Sequence, residues 1–161
     1  MVRCFIGSAT TTNLNLIPAI DLYCRTIWRD SEHICAWTKP AGKANGFYLF
    51  KDQTTEISIV GEGVMTLNGH NTYLPRTDNQ WILNDTYPTG PRRTQNPYLF
   101  HVPTGRRVSL GEFPAPVDYQ GEWRCDTHPR ASNDGRSVVI DSAHEQGRQL
   151  YLIDIGKLVD S

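Results

Sequence analysis

From His33 onward, short apolar runs alternate with polar turns carrying Gly, Pro, Asn or Asp. That pattern predicts strands and hairpins rather than amphipathic helices. Two stretches, Tyr48–Glu62 and Tyr98–Glu112, align without a gap at a spacing of fifty residues. Both open on Tyr-Leu-Phe, carry a Thr at the bend and close on Gly-Glu. A third copy starts at Tyr151 with Tyr-Leu-Ile-Asp-Ile-Gly. Each copy reads as two short strands, with Thr54-Thr55 or Thr104-Gly105 at the turn.

A second unit precedes each copy: the runs 33–40, 81–88 and 137–144 are strand-like and of similar length. Before the latter two lie the stretches 69–75 and 124–132, followed by the polar turns Thr77-Asp78-Asn79 and Asn133-Asp134-Gly135. Four strands per period of about fifty residues is the mark of a β-propeller blade. The predicted fold is therefore all-β, a partial β-propeller of about three four-stranded blades at roughly 31–63, 69–113 and 124–158. The first blade is expected to enter at its second strand, near His33. A β-sandwich of hairpins is the competing architecture, and the third copy and the Asn-Asp-Gly turn weigh against it.

Residues 1–30 share no pattern with the rest and read as an irregular or non-native N-terminal segment. Their apolar patch is too short for the centre of a signal peptide. Thirteen Gly and ten Pro agree with a turn-rich β protein. A formal charge of −1 gives no electrostatic reason to expect nucleic acid or an acidic membrane as partner. No apolar run approaches the roughly 18 residues of a membrane span. Cys4, Cys24, Cys35 and Cys125 form no Cys-x-x-Cys pair, and Cys35 and Cys125 read as buried, inert thiols.

The stretch 123–142, with its Asp-Thr-His-Pro-Arg segment, its Ser-Asn-Asp-Gly turn and an apolar strand ending in Asp-Ser, resembles the repeat of TolB-like propellers. Together with Gly69-His-Asn-Thr-Tyr-Leu-Pro75 and Gln149-Leu-Tyr-Leu-Ile-Asp154 it looks like the oligogalacturonate lyase family. The likeness runs from about His33 to Asp154. It implies a propeller that cleaves short uronic-acid chains by β-elimination, with a divalent metal held by histidines on the propeller axis. The family's ring has seven blades, more than twice what this sequence supplies.

In a four-stranded blade, the connection into the first strand and the loop between the second and third lie on one face. That places His70 beside Asp126 and His128 as candidate metal ligands. Two imidazoles and a carboxylate suit Zn or Mn, whereas Ca prefers oxygen donors. From the second-to-third-strand loops come Tyr87, Arg92 and Arg93, candidates for binding an acidic sugar, and His144, the candidate catalytic base. Asp134-Gly135 reads as a structural turn, and His33 and His101 receive no role. Ser8, Ser132 and Ser142 lack the context of a nucleophile elbow.

The expected function is a metal-dependent enzyme acting on a uronate or related carbohydrate by β-elimination. The alternatives are metal (Ca)-dependent hydrolysis of a small lactone or ester, and a non-catalytic binding or assembly module. Three blades cannot close a ring, so a homodimer completing the assembly is also expected.

Overall fold

The computed structural model describes residues 5–6, 15–16, 25–145 and 147–160. Cys4, Ser8, Cys24 and most of the segment 1–30 lie outside the described residues. The chain divides into two compact units, Met1–Asn68 and Gly69–Ser161. Strands dominate both, and every pairing is antiparallel. No helix among the described residues is long and apolar enough to cross a membrane.

In the first unit β1 (Phe5–Ile6) pairs with β2 (Asn15–Leu16). The strands β3 (Thr26–Trp28), β4 (His33–Thr38), β5 (Gly46–Lys51) and β6 (Ile57–Val60) then form one sheet in chain order. This is a four-stranded, blade-like meander. It reaches one strand further toward the N-terminus than the expected start at His33, because Ile27 stands opposite Cys35. Three residues between Arg25 and Arg29 make too short an alternation to announce a strand.

Beyond His33, β4 is buried at every position, as its near-continuous apolar run requires. Trp37 lies opposite Phe47 in the ladder, and their rings meet edge to face at 5.0 Å. This geometry suits the aromatic quadrupoles. The turn after β5 is held by Thr54, whose hydroxyl donates to the Lys51 carbonyl at 3.0 Å and accepts the Glu56 N–H at 3.1 Å.

The second unit begins with β7 (Thr72–Tyr73) and β8 (Trp81–Asn84). The two-residue β9 (Thr94–Gln95) is followed by β10 (Tyr98–His101) and β11 (Arg106–Ser109). Strands β7, β8, β10 and β11 make a second four-stranded meander, while β9 pairs separately with β12 (Phe113–Pro114). The third sheet holds β13 (Arg130–Ala131), β14 (Ser137–Ser142) and β15 (Gln149–Asp154). Among the described residues it has three strands, and a single helical turn, α1 (Gly156–Val159), follows β15.

These successive antiparallel meanders make the fold all-β and propeller-like. The fifty-residue period survives in the register: Tyr48 faces Ile59, and Tyr98 faces Ser109. Within the second unit the second and third sheets share one core. Leu74, Trp81, Leu83 and Leu99 pack there with Val138, Ile140 and Ile155. Each fully buried aliphatic side chain contributes about 1.5–3 kcal/mol, so this core fixes the two sheets against each other. The loops leading into β7 and β13 are thereby held in place.

Candidate metal centre

The site starts from a glycine. A Cβ on Gly69 would stand 1.9 Å from the Asp85 carbonyl oxygen, so only glycine lets the lead-in to β7 run this close to the end of β8. That approach brings the His70 backbone N–H to Asp85 Oδ1 at 2.6 Å. The same carboxylate receives His70 Nδ1, at 3.1 Å from Oδ1 and 3.0 Å from Oδ2. His70 is 7 % exposed and Asp85 1 %.

Asp126, Thr127 and His128 lie on the lead-in to β13. Gln95 on β9 grips this segment from both sides: its Nε2 donates to the Cys125 carbonyl at 3.0 Å, and its Oε1 accepts the Thr127 N–H at 3.1 Å. Thr127 in turn donates its hydroxyl to Asp85 Oδ2 at 2.6 Å. His128 has a left-handed backbone, φ 37°, a conformation that costs a non-glycine residue on the order of 1–3 kcal/mol and clusters at functional sites.

His70, Asp126 and His128 each offer a ligand atom, and these atoms lie within 4.8 Å of one another. The imidazole rings of the two histidines are 3.9 Å apart, centroid to centroid. His70 Nε2 and Asp126 Oδ1 are both buried with no hydrogen-bond partner among the described residues. Leaving a buried polar atom unpaired costs about 1–3 kcal/mol, so two such atoms on residues of one ligand cluster mark a place suited to an ion. The donors' chemistry fits. Nδ1 of His70 faces a carboxylate and Nδ1 of His128 lies 3.2 Å from the Asp126 carbonyl, so each ring can present Nε2 as a lone pair.

Two neighbours complete the surroundings. Arg124 donates from Nε to Asp126 Oδ2 at 2.9 Å, leaving Oδ1 unengaged. Its guanidinium also lies 5.1 Å from the centre of the Tyr87 ring, and that ring meets His70 edge-on at 5.5 Å. His128 has a pKa lowered from the ordinary imidazole value, first by burial and second by the neighbouring His70. The neutral form, the one that binds metals, is thus favoured.

The structure therefore gathers four of the residues singled out from sequence: His70, Asp126, His128 and Tyr87. The other three are described by contacts or exposure of their own. Arg93 donates to the carbonyls of Ala115 at 3.2 Å and Tyr119 at 3.5 Å, tying down the segment after β12, and Arg92 is exposed. The His144 imidazole lies outside the metal-ligand cluster, against Phe113 and Tyr151, with Nδ1 2.9 Å from the Ser142 hydroxyl. Cys35 on β4 and Cys125 on the lead-in to β13 are both 1 % exposed, and burial pushes the Cys125 thiol up to about 11.

Asp85, Gln95, Thr127 and Arg124 were not singled out from sequence. Asp85 had a signal. The ladder places Asn84 opposite Tyr98 and Ile140 opposite Tyr151, so Asp85 and Asp141 follow corresponding positions in two copies of the repeat. No protein-family model matches the chain, and no curated protein matches it significantly.

Proposed function

We propose that the second unit binds a divalent transition-metal ion and uses it to act on a uronate or related acidic carbohydrate by β-elimination. The observation that carries this reading is the clustering of His70, Asp126 and His128, whose ligand atoms lie within 4.8 Å of one another, with His70 Nε2 and Asp126 Oδ1 buried and unpartnered among the described residues. Two imidazoles with one carboxylate favour Zn²⁺ or Mn²⁺ over Ca²⁺. A bound ion would supply positive charge against a substrate carboxylate as its α-carbon becomes electron-rich.

The chain's own residues do the rest. Arg124, with a side chain 46 % exposed, is a cation beside the cluster and joins Arg92 and Arg93 as a candidate for holding an acidic sugar. It can share its guanidinium between Asp126 and an incoming carboxylate. Tyr87 forms an aromatic wall next to His70. Elimination moves the proton on the α-carbon to a base, turns that C–H electron pair into a C=C bond, and expels the β-oxygen, which takes up a proton. His144 is assigned the base.

Two copies are proposed to associate along β15. Leu150 and Leu152, two apart on β15 and so on one face of the third sheet, are 75 % and 73 % exposed, opposite the face that carries Tyr151 and Ile153 into the core. An exposed apolar face on the last sheet favours packing against a second copy, which would complete the ring.

The reaction is tested by incubating the protein with oligouronates and Mn²⁺ or Zn²⁺. The expected result is a rise in ultraviolet absorbance from the conjugated unsaturated product, abolished by EDTA and in His144→Ala. A product carrying added water and no double bond would replace elimination by lactone or ester hydrolysis. Ion binding with no turnover of any oligouronate would leave a binding module.

A further inference from the structure

We infer that Asp85 is the positioning residue of the ion site, setting both the tautomer of His70 and the spacing between the ligands of the two sheets. This rests on the metal reading above. The carboxylate is 1 % exposed and surrounded by donors: the His70 N–H at 2.6 Å, His70 Nδ1 at 3.0 Å and the Thr127 hydroxyl at 2.6 Å. A carboxylate facing these donors accepts, so Nδ1 of His70 is the donor, and in the neutral ring Nε2 is left as a lone pair. That is the atom buried without a partner.

Thr127 lies between the ligands Asp126 and His128, so its bond to Asp85 ties their segment to the carboxylate that orients His70. One side chain thus joins ligands from two different sheets. The corresponding aspartate of the next repeat does something else. Asp141 accepts from Arg148 Nε at 2.6 Å and from the Cys125 thiol at 3.4 Å. His128 leans instead on a backbone carbonyl. The two histidines are therefore held unequally, and the carboxylate-backed one is His70. Removing such an outer partner weakens metal binding about 10–100-fold in other proteins.

The test uses the full chain with Asp85→Asn, Thr127→Val and, as control, Asp141→Asn. Nitrogen-15 NMR of the imidazoles reads the His70 tautomer without added metal, and calorimetric titration with Zn²⁺ reads affinity. In the wild type, His70 is expected to be protonated on Nδ1 alone. In Asp85→Asn the amide can donate to Nδ1, so the other tautomer should appear and Zn²⁺ should bind about 10–100-fold more weakly. Thr127→Val should weaken binding while leaving the tautomer unchanged, and Asp141→Asn should alter neither. An unchanged His70 tautomer in folded Asp85→Asn overturns the role of Asp85. A folded wild type that takes up no Zn²⁺ overturns the metal reading, while the tautomer comparison still decides the role of Asp85. Should Asp85→Asn fail to fold, an unchanged Zn²⁺ affinity in Thr127→Val overturns the link between the sheets.

Discussion

His70 and His128 occupy equivalent places in successive sheets. Continuing the β7–β8 register from Thr72 opposite Leu83 sets His70 opposite Asp85, and continuing β13–β14 from Arg130 opposite Val139 sets His128 opposite Asp141. The ladder slips by one residue at that point: the Asp141 N–H donates to the Thr127 carbonyl at 2.9 Å, so a bulge sets Thr127 and His128 together against Asp141, where His128 takes its left-handed φ of 37°. A repeated structural position thus delivers two imidazoles to one spot, and Asp126, just ahead of the second, supplies the carboxylate.

Gly69→Ala should damage the site by steric means alone. The added methyl would meet the Asp85 carbonyl at 1.9 Å, far inside van der Waals contact, and backbone offers no easy relief. A loss of about 1–3 kcal/mol is expected in urea unfolding, with weaker ion binding because His70 loses its seat. A variant as stable as the wild type that binds metal normally would show that the close approach is not needed.

The lowered pKa of His128 carries a sign. Its folded value lies below the unfolded value of about 6.5, so the unfolded chain holds more protons in the interval between them. Stability contributed by this group is therefore level above pH ~6.5 and falls as the pH drops from there toward the folded pKa. Removing the imidazole, as in His128→Ala, should flatten that part of the profile. Thermal melts of the metal-free protein between about pH 5 and pH 8 check it, and a wild-type profile identical to that of His128→Ala would refute the assignment.

The architecture was legible because the fifty-residue spacing preserves a ladder register, with Tyr48 facing Ile59 and Tyr98 facing Ser109. The strand Thr26–Trp28 and the β9–β12 pair were not legible, since two or three residues give no alternation to read. In the site, His70, Asp126 and His128 were legible because each precedes the first strand of a sheet. Asp85 was not, because an aspartate ending a strand also suits a turn. The contacts of Arg93 were not legible either, because charge alone does not say that its guanidinium also donates to the Ala115 and Tyr119 carbonyls.

Association through β15 should be visible in solution. Light scattering at micromolar concentration is expected to give twice the monomer mass, and Leu150→Lys with Leu152→Lys should return it to one. A wild type that stays monomeric would rule the dimer out.

The most direct measurement is Mn²⁺ electron paramagnetic resonance on the metal-free protein, which counts bound ions by the loss of the free-ion signal. One Mn²⁺ per chain is expected, with binding weakened about 100-fold or more when a ligand is removed in His70→Ala or Asp126→Ala; each tenfold step corresponds to about 1.4 kcal/mol. His101→Ala, on β10 and hydrogen-bonded to Thr104, should leave binding unchanged. A folded wild type that leaves the free-ion signal intact, or ligand variants that bind as tightly as it does, would contradict a metal centre at His70, Asp126 and His128.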